Sequence, residues 1–123
     1  MKNRASLTAE YMALFRAIES ARPKGTRLFC DPFVALFLKG ERKWIYWIAR
    51  YDTERWLMER LLDQESPGAR AAGIARTKWI DDEVKRTLET CTQLVLLGAG
   101  FDTRAYRLPA AQRVTSWGIM LTR

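Results

Sequence analysis

The 123-residue sequence contains no histidine. Histidine is the commonest general base in enzymes, and it is the central member of Ser-His-Asp and Cys-His nucleophilic sites. The absence of histidine from this sequence therefore excludes both nucleophilic mechanisms. The two cysteines, Cys30 and Cys91, are isolated and form no Cys-x-x-Cys pair, so no metal site is expected. We expect both to be reduced thiols that are buried as small apolar residues.

Long apolar runs are also missing. No stretch approaches the ~20 apolar residues that a membrane-spanning helix requires. The N-terminal residues MKNRASLTAEYMALF lack the continuous apolar core of a secretory signal. These absences predict a cytoplasmic protein with no membrane partner.

Basic residues outnumber acidic ones by 21 to 14, which gives a formal net charge of +7. Such an excess is found in proteins that bind nucleic acids or anionic membranes. Here the charges are mixed along the chain, with Asp81 four residues before Lys85 and Asp82 four residues before Arg86. This spacing predicts ion pairs on a solvated helix face, so no nucleic-acid partner is expected.

Apolar periodicity predicts a helical N-terminal region. A first helix is expected from about Ser6 to Glu19, with Ser6 as its cap. Asp31-Pro32 is expected to start a second helix that runs to Gly40. Further helices are predicted over residues 42–62 and 69–90, on either side of a break at Ser66-Pro67-Gly68.

Three tryptophans in the segment 42–62 could serve as a base-stacking surface or as core. An aromatic stripe at helical spacing is usually buried against neighbouring helices. We therefore expect burial of Trp44, Trp47 and Trp56.

The most informative segment follows these helices. Four apolar residues, Leu94–Leu97, are bracketed by polar ones, which predicts a strand buried on both faces, as in a parallel sheet. Gly98-Ala99-Gly100 follows immediately, and its glycines allow a tight turn and a close approach of a ligand to the backbone. The pattern is typical of a nucleotide-type cofactor loop, although ordinary strand-to-helix turns share it.

The string from Gln93 to Leu108, QLVLLGAGFDTRAYRL, resembles the first cofactor-binding strand and loop of the leucine carboxyl methyltransferase-like family of S-adenosylmethionine-dependent methyltransferases. The resemblance covers about residues 6–114. Its other features occur in the family's usual order: Ser6-Leu7-Thr8-Ala9, Arg16-Ala17, Asp31-Pro32 with Ala35 and Phe37, and Arg76-Thr77 with Ile80-Asp81-Asp82.

The resemblance implies an α/β fold. Residues 1–90 would form a helical cap, and residues 91–123 would form the first strand, glycine loop and following helix of an incomplete, truncated Rossmann-like domain. The implied cofactor is S-adenosyl-L-methionine, and the implied reaction is O-methyl transfer to a carboxylate or hydroxyl of a small molecule. Transfer from a sulfonium depends mostly on positioning, which suits a sequence without histidine.

The candidate cofactor-binding residues of the loop are Gly98, Ala99, Gly100 and Asp102. Asp102 could instead cap the helix that follows. Arg104 and Arg107 are interpreted as helix-surface or interdomain salt-bridge residues.

Two arginines of the cap complete the candidate site. The resemblance implies that Arg76 binds the cofactor carboxylate, where a guanidinium can bind bidentately. It also places Arg16 near the cofactor pocket. Arg76 could equally be an exposed arginine on a helix surface, and for Arg16 a surface arginine is the favoured interpretation. No catalytic residue is identified.

The C-terminal residues depart from the family pattern. In the family the second strand ends in an acidic residue that binds the ribose hydroxyls, whereas no Asp or Glu follows Asp102 here. Ser116–Arg123 are therefore interpreted as the end of a truncated or frame-shifted product. Such a product could be an inactive form of the methyltransferase. The alternative function is a non-enzymatic remnant or helical interaction module that self-associates through an exposed strand.

Overall fold

The computed structural model describes residues 7–119. It contains helices α1 (Leu7–Ala21), α2 (Glu41–Ile48), α3 (Asp52–Glu65) and α4 (Ala69–Thr87), strand β1 (Gln93–Leu97), the one-turn helix α5 (Arg104–Arg107) and strand β2 (Thr115–Ile119). Short 3₁₀ turns occur at Val34–Leu36 and Ala111–Arg113. Helices thus precede a small parallel sheet, as predicted for an α/β chain. None of the helices in this range has the length and apolar character needed to cross a membrane.

Helix α1 lies at the centre of the helical region. Its apolar stripe includes Leu14 and Ile18, which are buried against Val34 and Leu38. Helix α4 packs closely on α1 at Gly73, where an added Cβ would lie 3.0 Å from the sulfur of Met12. This close approach brings the N-terminal end of α4 alongside α1. The predicted cap residue Ser6 lies outside the described residues.

The segment after Asp31-Pro32 is not the predicted helix. The Asp31 carboxylate accepts the backbone N–H groups of Phe33 (3.2 Å) and Val34 (3.1 Å), and it closes a tight turn. Only the 3₁₀ turn Val34–Leu36 follows. Gly40 then adopts φ +57°, a left-handed conformation from which α2 begins.

The helix predicted over residues 42–62 is two helices. Helix α2 ends at Ile48, and α3 begins at Asp52. The buried guanidinium of Arg55 donates to the carbonyl oxygen of Ala49 at 3.1 Å. This bond satisfies a carbonyl that the end of α2 leaves without a helical partner, and so stabilises the break.

The tryptophans are exposed, contrary to prediction. Trp44, Trp47 and Trp56 retain 72%, 50% and 58% of their accessible surface. On its inner face, α2 packs smaller side chains such as Ile45 against the core. On the outer face the Arg50 guanidinium lies 4.4 Å from the ring centroid of Trp47, in cation–π contact.

The cysteines are also exposed rather than buried, and neither forms a disulfide among the described residues. Cys30 precedes Asp31, whose side chain points inward, and successive residues of an extended segment point to opposite sides. Cys91 lies in the connection between α4 and β1, outside the packed helices.

Strands β1 and β2 pair in parallel, from Gln93 opposite Thr115 to Leu97 opposite Ile119. The second strand was not predicted, since the sequence was expected to supply a single strand. Its residues TSWGI include β-branched and aromatic side chains that favour strands. The crossover between the strands is short, and it contains α5 and the second 3₁₀ turn.

Strand β1 is not buried on both faces as expected. Val95 and Leu97 are 51% and 78% exposed. Leu94 is half-buried, because it packs against a small cluster that includes Leu88 and Leu108. A two-stranded sheet covered by so few side chains leaves the other positions of β1 in contact with solvent.

Candidate functional site

A cleft of about 290 Å³ lies between α1, α4 and the loop that follows β1. The structure places every predicted cofactor-binding residue on its walls: Arg16, Arg76, Gly98, Ala99, Gly100 and Asp102. These residues come from three separate parts of the sequence. The packing of α4 on α1 and the position of the loop bring them together.

The glycine loop has backbone geometry suited to close contact with a ligand. Gly98 and Gly100 adopt φ values of +62° and +49°, which L side chains rarely tolerate. The N–H of Ala99 donates to the carbonyl of Ile119 at 3.1 Å, and the N–H of Asp102 donates to the carbonyl of Ala99 at 2.7 Å. Strand β2 therefore anchors the loop.

Arg76 lines the same cleft from helix α4. It is exposed, and no carboxylate between residues 7 and 119 forms an ion pair with it. Its guanidinium is therefore available to an anionic ligand. Both interpretations of Arg76 agree with this position, so its contact with a cofactor stays a prediction.

Arg16 is a buried residue, so the interpretation as a surface arginine is wrong. Only 8% of its side chain is exposed. One guanidinium nitrogen donates to Asp31 Oδ2 at 3.1 Å, and the other donates to the carbonyl of Phe101 at 2.6 Å. Burial lowers the pKa of Arg16 below its usual value, while the charge of Asp31 opposes the shift. Arg16 thus binds the loop backbone from the cap.

Asp102 is not the N-cap of α5, which is Thr103, but it directly precedes that residue and contacts the start of the helix. Its carboxylate accepts the backbone N–H of Arg104 at 2.9 Å, at the start of α5, and it forms an ion pair with the Arg104 guanidinium. The carboxylate still lies on the cleft wall. The contact of Asp102 with the start of α5 and a ligand contact are therefore compatible.

The predicted pairs on the solvated face of α4 are not present. Asp82 pairs with Lys78, and Arg86 pairs with Glu83. Asp81 is only 1% exposed, and it faces α5 instead of Lys85. Asp82 and Arg86 thus form local pairs with other residues of α4, whereas tertiary contacts direct Asp81 inward.

The sequence interpretation missed the role of two buried carboxylates, Asp31 and Asp81. Asp31 accepts a hydrogen bond of 2.6 Å from the hydroxyl of Thr103, a residue that directly follows the glycine loop. Asp81 binds both arginines of α5. A signal was available for Asp81, because Ile74 and Thr77 precede it at helical spacing on the buried stripe of α4.

A second cleft, of about 430 Å³, lies on α3 and the start of α4, away from the glycine loop. Its two carboxylates pair with Arg70, at 2.6 Å for Asp63 and 3.7 Å for Glu59, whereas the Arg60 guanidinium lies 5.5 Å from the ring centroid of Trp56. The hydrogen bond from Arg70 holds the pKa of Asp63 below its usual value. In this larger cleft the carboxylates are therefore already paired, and the cleft contains no glycine loop.

Comparison with known proteins identifies a family to which the sequence is similar. The profile of the family described as leucine carboxyl methyltransferase matches residues 9–119, which includes four of the eight tail residues interpreted as departing from the pattern. No solved structure matches the chain significantly.

Three curated relatives carry the provisional name S-adenosyl-L-methionine-dependent methyltransferase. The chain is 35% identical to one from Streptomyces coelicolor, over 83% of this chain and 33% of the relative. It is 34% identical to one from Mycolicibacterium smegmatis, over 85% of this chain and 34% of the relative. For a relative from Frankia alni the identity is 36%, over 88% and 36%.

The chain thus spans about a third of the length of these relatives. Both the family profile and the relatives agree with the resemblance seen in the glycine loop and the cap motifs, and S-adenosyl-L-methionine is the cofactor in the relatives' names. By sequence, the chain belongs to the leucine carboxyl methyltransferase family.

Proposed function

We propose that the 290 Å³ cleft binds S-adenosyl-L-methionine and that this chain forms the cofactor-facing part of a methyltransferase. One observation carries the proposal. Arg76, whose guanidinium has no ion-pair partner in residues 7–119, lines the same cleft as two left-handed glycines, Gly98 and Gly100. A ligand with an anionic end and a flat body that contacts backbone suits these two walls.

Each wall has a distinct role in this proposal. The Arg76 guanidinium binds the carboxylate of the methionine part, in charge-assisted hydrogen bonds. The backbone at Gly98 and Gly100 contacts the nucleoside part, because no Cβ holds it away. Asp102 adds negative charge close to the positively charged groups of the cofactor.

The ribose would be held less firmly than in the family pattern. Strand β2, with the residues TSWGI, itself carries no carboxylate that could bind the ribose hydroxyls. Arg76 and the loop backbone therefore supply most of the proposed affinity.

The proposed reaction is O-methyl transfer to a carboxylate or hydroxyl of a small molecule. The family description, which names a carboxyl acceptor, supports this class. When bound, the cofactor supplies a methyl group on a sulfonium, whose leaving group is a neutral thioether. The residues here would orient that group rather than transfer protons, which agrees with a sequence without histidine.

Calorimetric titration of the chain with S-adenosyl-L-methionine tests the proposal. We expect saturable binding that weakens about ten- to a hundredfold in Arg76→Ala, since a charge-assisted hydrogen bond is worth roughly 1.5 to 3 kcal/mol when formed. The matched control is Arg86→Ala, on the same helix but paired with Glu83 away from the cleft. This control should bind as the unmodified chain does.

Two results would contradict the proposal: no binding by the folded chain, or equal affinity in the Arg76→Ala variant. The acceptor class is tested separately, with methyl-labelled cofactor and small-molecule acceptors. Label transferred to nitrogen instead of oxygen would rule out the O-directed reaction.

A further inference from the structure

The buried carboxylate of Asp81 joins the two walls of the cleft. Its Oδ1 accepts hydrogen bonds from Arg104 Nε (2.9 Å) and Arg107 Nη2 (2.7 Å), and its Oδ2 accepts one from Arg107 Nη1 (2.6 Å). The contact with Arg107 is bidentate, which fixes orientation as well as distance. With 1% of its surface exposed, Asp81 has no competing contact with water.

The position of these three residues in the chain gives the contact its consequence. Asp81 lies on α4, which also carries Arg76. Both arginines belong to α5, which directly follows the glycine loop. Arg104 also pairs with Asp102, on the cleft wall. One carboxylate therefore connects the helix that carries the free guanidinium to the segment that carries the loop.

A second buried carboxylate supports the same segment from another direction. Asp31 Oδ2 accepts from Thr103 Oγ1 at 2.6 Å and lies 3.7 Å from Arg107 Nε. Asp31 also binds Arg16, which donates to the carbonyl of Phe101. The segment from Phe101 to Arg107 is therefore held by charged groups of the cap, rather than by apolar packing alone.

The charges of this network balance. Three arginines, Arg16, Arg104 and Arg107, face three aspartates, Asp31, Asp81 and Asp102. Buried ion pairs of this kind add little net stability over apolar packing, but they impose one geometry on the groups they join. Such ion pairs are therefore suited to fixing the relative position of two structural elements.

We propose that Asp81 is a positioning residue, which sets the separation of Arg76 from the glycine loop without contacting the cofactor itself. This inference rests on the proposed function, because the two walls are those of the proposed cofactor cleft. It assigns a role in ligand binding to a residue that does not line that cleft.

The test compares Asp81→Asn with the unmodified chain by hydrogen exchange and by titration with S-adenosyl-L-methionine. The substitution keeps the shape of the side chain and removes its charge. We expect faster amide exchange in residues 98–107 while α1 stays protected, and cofactor affinity about tenfold weaker, because small displacements of binding groups are costly. Asp82→Asn, the exposed neighbour paired with Lys78, should change neither quantity.

Affinity is measured at a temperature at which circular dichroism shows that each variant keeps the helical signal of the folded, unmodified chain. A merely structural role would lower the melting temperature and leave the affinity and loop exchange of the folded chain unchanged. That result would overturn the inference. If the unmodified chain binds no cofactor, the proposed function fails, and unchanged loop exchange in Asp81→Asn would overturn the inference independently.

If Asp81→Asn fails to fold, the variant Arg107→Lys tests the positioning role of Asp81 instead. It keeps the positive charge and loses the bidentate contact with Asp81. We expect faster loop exchange and weaker cofactor binding in this variant too. Exchange and affinity equal to those of the unmodified chain would contradict a positioning role.

Discussion

Replacing Asp31 with alanine is expected to lower the free energy of unfolding by about 3–5 kcal/mol. The Asp31 carboxylate is 1% exposed and binds Arg16 and Thr103 together with the backbone N–H groups of Phe33 and Val34. Its removal leaves a buried guanidinium and several donors without their partner. A loss of this size is a large part of the roughly 5–15 kcal/mol that stabilises an ordinary domain.

Urea denaturation followed by circular dichroism measures this loss. Asp82→Ala is the control, because the Asp82 side chain is 51% exposed and pairs with Lys78 at the surface of α4. Exposed pairs contribute about 1 kcal/mol or less, so the control should unfold at nearly the original urea concentration. An equally small effect in Asp31→Ala would show that the buried network does not hold the chain together.

Gly98→Ala is expected to weaken binding of S-adenosyl-L-methionine about a hundredfold, or roughly 2.7 kcal/mol. Within the protein, an added Cβ at Gly98 meets no atom within 4 Å. The fold therefore loses only the roughly 1–2 kcal/mol of a left-handed alanine. The added methyl group would instead separate the cofactor from the loop backbone.

Gly68→Ala separates backbone strain from loss of contact with the ligand. Gly68 also has a left-handed conformation, with φ +77°, and it has no atom within 4 Å of an added Cβ. It lies at the start of α4, outside the cleft. Both variants should lose similar stability, but only Gly98→Ala should lose affinity. Similar affinities in the two variants would place the ligand elsewhere.

Much of the helical region follows from local signals in the sequence. The apolar periodicity of α1 and the break at Ser66-Pro67-Gly68 act over a few residues, and both are found in the structure. The glycine loop is also a local signal, because its conformation depends on Gly98 and Gly100 themselves. Such features can be predicted without knowledge of the tertiary fold.

The features that could not be predicted depend on distant partners. Asp81 bonds to residues 23 and 26 positions away, whereas the four-residue rule considers only its own helix. Thr103 and Asp31 are 72 positions apart. Strand β2 forms because β1 lies beside it, and its own sequence is only moderately typical of a strand. The burial predicted for the tryptophans of α2 was wrong, because helical spacing does not specify which face of a helix is buried.

The most direct test of the account is an NMR titration of the ¹⁵N-labelled chain with S-adenosyl-L-methionine. The account predicts amide shifts concentrated at residues 98–102 and around Arg76, on the two walls of the 290 Å³ cleft. Shifts confined to the second cleft, around Trp56 and Asp63, or no shifts in a folded sample would contradict it.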